Sequence, residues 1–345
     1  MKTTILLLFT IFLLGQLQAQ NKYNLKFSGI ALPSKTPESG WAVQGGLLGL
    51  FKTDTVDTNL RSSNLYLFGM YSQLKQFRIS NGGEVFFKKE NYYLNYWIYY
   101  TYAPEQFFGL IPNTNYKKYD FIAKKLFYAD VVLLKKIRNK SFFGFNITAE
   151  KSFNFKPDTA GYFENSYPVN KFQNYNLLAL GLKYQYDSRN SVVNTSKGNF
   201  LSFVAKPAFS NQGNYFQTRF DARKFIPYKK QVFAFQLFSD KIFGFAPLGE
   251  MPNLNLRAFH PNLYKGTFST YLQAEQRWCL KPWLYLSTFE GSGLVTLQNK
   301  SVWQSNYGGG FRVRVIKAYN LFLRVEYGLG SDGSSNLYLA FYDAF

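Results

Sequence analysis

The sequence predicts an all-β protein, a closed transmembrane antiparallel β-barrel of about 16 strands. Three observations support this fold class. Apolar and polar residues alternate along most of the chain with the period of two that a β-strand produces. Aromatic residues make up 20% of the 345 residues, with 37 Phe and 27 Tyr. After residue 19, no apolar run reaches the roughly 18 residues that a transmembrane helix needs.

The first nineteen residues have the pattern of a cleaved secretory signal. Lys2 supplies the positive charge, residues 5–14 form an apolar run, and Leu17-Gln18-Ala19 resembles a signal-peptidase site. That apolar run is too short to cross a bilayer. We therefore expect residues 1–19 to be a signal peptide and residues 20–345 to form one barrel in the outer membrane of a Gram-negative cell.

Alternation along the strands predicts which side chains face lipid and which face the lumen. The segment 321–329 places its apolar residues on one face and Arg324 and Glu326 on the other, and segments 178–187 and 311–315 repeat the pattern. A soluble secreted sandwich or propeller also alternates, and it remains the alternative on composition alone. Because no segment has the pattern of a helix that could cover the apolar faces, lipid is the simpler cover.

Chain length sets the expected number of strands. A transmembrane strand with half of its connections takes about 20 residues, so residues 20–345 hold about 16 strands. Alternation marks about 15 of them clearly. We place the remaining strand at residues 23–30.

The charge balance indicates a basic lumen. The chain has 40 Lys and Arg against 20 Asp and Glu, and the basic residues are interleaved with aromatic residues along the strands. Blocks or arms of positive charge, which would favour nucleic acid, are absent from the sequence. We expect outer-membrane lipid and lipopolysaccharide as partners and no nucleic acid.

The sequence offers no catalytic or metal-binding pattern. His260 is the only histidine and Cys279 the only cysteine, which excludes a multi-histidine metal site and a disulfide within the chain. A structural or solvated role is the better interpretation of His260, and packing is the better one for Cys279. We expect no enzymatic activity, no cofactor and no metal.

Four short segments in the C-terminal half combine charges with aromatic residues or glycine. They are Asp187-Ser188-Arg189-Asn190 followed by Gly198, Leu256-Arg257-Ala258-Phe259, Glu275-Gln276-Arg277, and Phe289-Glu290-Gly291-Ser292-Gly293.

These segments resemble the D-x-R-[DN], V-R-G-[FY], E-x-R and F-x-D-x-G patterns of the BamA/TamA family. That family is the bacterial surface-antigen superfamily of outer-membrane assembly and translocation barrels. The resemblance covers about residues 33–345. The chain departs from the family patterns at Thr195 (for Pro), Ala258 (for Gly) and Gly291 (for Asp).

The resemblance implies that the loop carrying Arg257 folds back into the lumen. A buried guanidinium needs a carboxylate, and Glu275 on the following strand is the first choice of partner. Glu290 would be the second, but only if a bulge turns it inward. The other lumen charges that we expect are Asp187, Arg189, Arg277, Arg312, Arg314, Arg324 and Glu326.

The last strand has the features of an assembly signal. Its alternation ends at Phe341, and the chain stops at Phe345. A terminal aromatic residue on an alternating strand serves as such a signal in many outer-membrane barrels, so we expect this role for Phe341 and Phe345.

The function that the resemblance implies is non-enzymatic. It is help with the insertion or translocation of proteins or lipids, together with partner proteins in the periplasm or outer membrane. Family members usually carry periplasmic POTRA domains, and we find none in the sequence. An outer-membrane channel or structural scaffold without assembly activity is therefore the alternative.

Overall fold

The computed structural model describes residues 26–36, 39–54, 60–111, 114–157, 174–192, 194–316, 320–341 and 343–345. The expected signal peptide, residues 1–19, lies outside these ranges, as do the first residues of the strand expected at 23–30.

The described residues form one closed antiparallel barrel of sixteen strands, in which neighbours in sequence are neighbours in space and β1 returns to β16. The predicted fold class is confirmed. The strands are β1 (Lys26–Thr36), β2 (Gly40–Phe51), β3 (Ser63–Ser72), β4 (Phe77–Phe86), β5 (Tyr92–Phe107), β6 (Asp120–Arg138), β7 (Ser141–Pro157), β8 (Tyr175–Asp187), β9 (Gly198–Ser210), β10 (Tyr215–Tyr228), β11 (Gln231–Gly244), β12 (Phe268–Lys281), β13 (Leu284–Leu297), β14 (Lys300–Ile316), β15 (Leu321–Gly330) and β16 (Ser335–Phe341).

Helical structure is minor in the described ranges. Lys88–Glu90 and Leu248–Glu250 each form a single 3₁₀ turn. No helix there is long and apolar enough to cross a membrane.

The first strand extends further than expected. β1 continues through Pro33 to Thr36, whereas the sequence predicts a strand that ends at residue 30. Proline lacks the N–H that an interior strand donates, so a strand containing it resembles an edge strand. β1 pairs with β2 along its whole length and with β16 over a shorter described stretch, so it resembles the edge strands in which proline is tolerated. Within the described chain, its pairing with β16 is confined to Lys35 opposite Leu339.

Alternate side chains form an apolar outer surface. In β15, Val325 and Tyr327 are 36% and 49% exposed, while Arg324 and Glu326 are 7% and 0% exposed. In β14, the outward Phe311 precedes the buried Arg312. This arrangement is typical of a barrel whose exterior meets lipid and whose interior is polar.

The interior is filled unevenly. The connection between β11 and β12 (residues 245–267, here called the inner loop) packs against the walls formed by β12 to β16. The opposite side, against β1 to β5, encloses a cavity of about 620 Å³. The inner loop also contacts β5 and β10, through Asn262 with Glu105 and Glu250 with Tyr215, so the open space lies beside β1 to β5.

Candidate functional site: the inner loop and its arginine network

The inner loop is held inside the barrel by apolar packing. Leu256, Phe259 and Leu263 are at most 2% exposed and belong to one hydrophobic cluster that also contains Phe108. Each side chain of this size contributes about 1.5–3 kcal/mol when it is fully buried. The position of the loop is therefore a stable feature of the fold.

Arg257 lies near the tip of the inner loop and is 8% exposed. Its Nη1 lies 2.6 Å from Glu275 Oε2 and 3.3 Å from Glu326 Oε2. Its guanidinium carbon also lies 3.6 Å from the centroid of the Phe289 ring, a cation–π contact. Sequence reasoning selects Glu275 and misses Glu326 as a partner, although alternation already places Glu326 inside.

Glu275 connects Arg257 to two further arginines. Its Oε1 lies 2.5 Å from Arg277 Nε and 3.0 Å from Arg312 Nη1. The same two arginines contact Asp343, with Arg277 Nη1 at 3.1 Å from Oδ1. Glu275 therefore stabilises three cations at once, as a buried carboxylate with several charge-assisted hydrogen bonds can.

Arg324 completes the set through its contact with Glu326, at 2.6 Å. We call this set the arginine network: four arginines and three carboxylates, joined across the inner loop, three strands and the C-terminal residues. Its members are Arg257, Arg277, Arg312, Arg324, Glu275, Glu326 and Asp343.

The inner loop also holds the last strand. The Ala258 N–H donates to Tyr338 Oη at 2.8 Å, and Asn336 Nδ2 donates to the Ala258 carbonyl at 2.5 Å. Asn306 Nδ2 donates to the Arg257 carbonyl at 2.6 Å. Tyr338 and Asn336 both lie on β16, so the loop braces the strand that closes the barrel.

Glu290 does not face the lumen, and the expectation that it could is wrong. It lies on the exposed outward face, opposite Ala274 and Tyr307. The register shift between β12 and β13 falls at Cys279/Lys281, so no bulge turns Glu290 inward. The inward neighbour is Gly291, where an added Cβ would lie 2.8 Å from Leu256 Cδ2. The missing side chain leaves room for the inner loop.

A second charge cluster lies at the β8–β9 connection. Asp187 Oδ1 is 3.0 Å from Arg189 Nε, and Asp187 Oδ2 is 3.5 Å from Arg61 Nη1. Gly198 has φ of 115°, and an added Cβ would lie 2.3 Å from the Ser188 carbonyl oxygen. Only glycine suits that reversal.

Thr195, in the same connection, contacts the arginine network. Its N–H donates to Asp343 Oδ2 at 2.8 Å, and its carbonyl accepts from Arg277 Nη1 at 2.9 Å. The BamA/TamA pattern that this segment resembles has proline at the position of Thr195, and a proline has no N–H to donate. The departure at Thr195 is thus what lets the connection bind Asp343.

The end of the chain turns into the lumen. β16 ends at Phe341, whose backbone pairs with Leu323. Phe345 is 6% exposed, and its ring centroid lies 6.3 Å from that of the inward-facing Phe225. Phe345 therefore does not end the alternating strand, which corrects that part of the expectation. Contacts of Asp343 with the arginines of the network account for the turn.

The remaining candidates lie apart from the network. Arg314 is half-buried on the inward side of β14, two residues beyond Arg312. Cys279 is a partly buried free thiol.

His260 is 6% exposed, accepts the Asn262 N–H at Nδ1 (3.1 Å) and packs against Phe108. Burial lowers the pKa of His260 to about 4, so the ring is neutral at pH 7. Among the described residues, no cluster of His, Cys, Asp and Glu could hold a metal ion.

These features define a large closed barrel whose lumen is plugged by an arginine-bearing loop. No protein-family model matches the chain, and no curated protein matches it. Solved structures that share the fold include BamA and CdiB barrels. BamA from Haemophilus ducreyi lacking POTRA domains 1–3 has a TM-score of 0.59 at 12% identity, with 92% of this chain and 69% of that chain covered. CdiB from Acinetobacter baumannii has a TM-score of 0.56 at 11% identity, with 92% of this chain and 59% of that chain covered. The chain has the barrel fold of these two proteins and spans only part of their length.

Proposed function

We propose that this protein is an outer-membrane barrel that aids the insertion or translocation of proteins without enzymatic activity. The fold shared with BamA and CdiB supports the proposal. The observation that carries it is the short seam between β1 and β16.

The seam is short because β16 is short. β16 has seven residues, and its one described pairing with β1 joins Leu339 to Lys35. In an antiparallel register set by that pair, residues 26–32 of β1 extend past the end of β16. A strand edge without a partner can pair with another strand. A typical hydrogen bond contributes about 0.5–1.5 kcal/mol net, so a seam with few pairs, as in the described part of this one, opens at low cost.

The inner loop gives control over this seam. Ala258 holds β16 through Tyr338 and Asn336, and Arg257 fixes the loop to β12 and β15. Movement of the loop would release the last strand while the other strand pairs stay intact. The loop therefore acts as a brace whose position decides whether the seam stays closed.

The proposed location and partners follow from the outer surface and the charge. The apolar exterior suits the outer membrane, and the basic balance of the chain suits anionic lipid and lipopolysaccharide. Periplasmic or outer-membrane proteins that deliver clients are the further partners that we propose.

A disulfide across the seam tests the proposal. Lys35→Cys and Leu339→Cys, in a Cys279→Ser background, would join β1 to β16. The purified barrel is placed in liposomes, and the folding of a urea-unfolded small outer-membrane barrel is followed by protease resistance. We expect the reduced protein to accelerate client folding and the oxidised protein to lose most of that effect.

The control is a disulfide away from the seam. Leu47 lies opposite Leu67 in the β2–β3 pair, and cysteines there would leave the seam free. This variant should stay active when oxidised. Equal acceleration by the seam-locked and free barrels, or none by either, would contradict the proposal and favour a channel or scaffold.

A further inference from the structure

We infer that the cavity beside β1 to β5 binds the phosphate-bearing headgroup of an anionic phospholipid that enters through the β1–β16 seam. This inference rests on the proposed membrane location and seam, and it adds a lipid ligand to the proposed function.

The cavity reaches the seam from inside. Its volume is about 620 Å³, within the range of roughly 300–1,000 Å³ that is usual for small-molecule sites. Its lining includes Ser28 of β1 on one side of the seam, and Leu321 of β15 and Ala340 of β16 on the other. Leu339, which pairs with Lys35 across the seam, is itself part of the lining, so the cavity reaches the strand pair that closes the barrel.

The cavity lining combines polar groups that suit a headgroup with apolar side chains, among them Leu48, Phe68 and Met70. Hydroxyl and amide side chains on β1, β2 and β4, and in the turn before β4, line it, among them Ser34, Thr36, Gln44, Gln76 and Ser80. A polar headgroup can exchange its hydrogen bonds with water for bonds to such groups, and the apolar side chains beside them can contact the first carbons of the acyl chains. The rest of the acyl chains would remain outside the seam, next to the apolar outer surface.

The charge of the cavity selects an anion. Among the described residues of its lining, Arg78 is the one that carries a charge, and none is Asp or Glu. Elsewhere in the described lumen, Arg219 pairs with Asp240 at 2.8 Å and Arg223 pairs with Asp221 at 2.5 Å. Among the described residues, the cavity lining therefore holds a cation without the carboxylate that Arg219 and Arg223 have beside them.

Arg78 is also placed to bind a phosphate. Its guanidinium carbon lies 4.9 Å from the centroid of the Tyr99 ring, which fixes the plane of the group. Its Nε–H is shielded from solvent and has no hydrogen-bond partner among the described residues. A guanidinium can bind two phosphate oxygens at once, and a phosphodiester in the cavity would balance the charge of Arg78.

Lipid titration of the purified full-length barrel tests the inference. The protein is stripped of lipid in an uncharged detergent, and bound phosphatidylglycerol is counted by native mass spectrometry, with phosphatidylcholine as the zwitterionic comparison. We expect one phosphatidylglycerol to bind more tightly than phosphatidylcholine. Arg78→Gln should weaken that binding about tenfold, the loss expected when a charged hydrogen bond is removed. Arg78→Lys should restore part of it.

Arg314→Gln is the matched control, because it removes the same charge from an inward position outside the cavity lining. It should leave lipid binding unchanged. Equal effects of the two substitutions, or none from Arg78→Gln, would overturn the inference.

A soluble competitor distinguishes a lipid from a free anion. Glycerophosphoglycerol carries the same phosphodiester anion without acyl chains, and we expect it to compete only at concentrations far above that of the lipid. Equally strong competition would overturn the lipid assignment. The client-folding assay is independent of this result. A barrel that folds clients but binds no phosphatidylglycerol refutes the headgroup site alone, and one that binds it through Arg78 without folding clients refutes the insertion role alone.

Discussion

Ala258 and Gly328 face each other inside the barrel, so closely that a side chain at position 328 would crowd Ala258. Ala258 has φ of 88°, and a Cβ added to Gly328 would lie 3.1 Å from the Ala258 nitrogen and 3.3 Å from its Cβ. The left-handed region that Ala258 occupies favours glycine. The missing side chain at Gly328 leaves the space that the alanine needs.

Ala258→Gly should therefore stabilise the barrel, by up to about 1–2 kcal/mol from the removed backbone strain. Gly328→Ala should destabilise it, because its new Cβ would crowd Ala258. The midpoint of urea unfolding in detergent, followed by tryptophan fluorescence, measures both. Ala222→Gly on β10 is the control, and a strand glycine there should cost about 0.5–1 kcal/mol. A loss of stability in Ala258→Gly would contradict the strain.

Arg257 and Glu275 should prove coupled. Arg257→Ala leaves Glu275 with Arg277 and Arg312, whereas Glu275→Gln leaves four arginines with two carboxylates. Breaking a buried pair costs about 3–5 kcal/mol, and we expect Glu275→Gln to have the larger effect. The double mutant should lose less than the sum of the two single losses.

The same unfolding measurement applies to this cycle. Glu290→Gln is its control, since an exposed outward carboxylate should change stability by no more than about 0.5 kcal/mol. Strict additivity of the Arg257 and Glu275 effects would show that the two side chains do not interact.

A new charge should destabilise the barrel much more at a lipid-facing position than at a lumen-facing one. Val325→Arg places a cation on the outward face of β15 and should cost about 2–4 kcal/mol if that site lies at mid-depth in the bilayer. Gln44→Arg places the same side chain beside the cavity, where water can solvate it, and should cost much less. Folding titrations in lipid vesicles compare the two, and a reversed order would mean that the faces are assigned wrongly.

Asp343 should hold the β8–β9 connection inside the barrel. Asp343→Asn removes the charge that Arg277 and Arg312 share and weakens the acceptor of the Thr195 N–H. Hydrogen exchange of residues 194–197 should become faster. Asp332→Asn is the control, because Asp332 accepts from Tyr264 Oη and has no described contact with this connection. Unchanged exchange in Asp343→Asn would disprove this contact.

Docking of the inner loop should weaken in mild acid through His260. In the docked loop, burial lowers the pKa of His260 to about 4 from its ordinary value of 6.5. An undocked loop binds the proton more readily, so docking is fully stabilised above pH 6.5 and loses stability as the pH falls towards 4. Protonation at Nδ1 would also remove the acceptor of the Asn262 N–H.

Limited proteolysis of the loop at pH 7.5 and pH 5 measures this effect. His260→Gln cannot titrate and should show a smaller difference between the two pH values. Burial lowers the pKa of Lys265 to about 8, so its protonation is completed as the pH falls from 7.5, and this contribution is common to the parent and to His260→Gln. Equal pH dependence in the variant and the parent would assign the effect to another group.

The sequence predicts the barrel and the faces of its strands because a period of two depends on local geometry alone. Alternation by itself therefore places Arg312, Arg324 and Glu326 inside the barrel. The outcome for Glu290 depended on whether a bulge interrupts β13, which alternation cannot show. The inward turn of Asp343 and Phe345 spans too few residues to carry a period. The cavity depends on where β16 stops relative to β1, a property of two strands that are distant in sequence.

The hydrogen bonds between the inner loop and β16 also bear on the order of folding. Ala258 is hydrogen-bonded to Tyr338, 80 positions later in the chain, and to Asn336, 78 positions later. Contacts between such distant residues form slowly, since the chain between them must first be ordered. The loop must already lie among β12 to β15 when β16 arrives, because its tip supplies part of the surface on which that strand docks. We therefore expect closure to be a late step of folding, whose rate depends on how well the loop was placed beforehand.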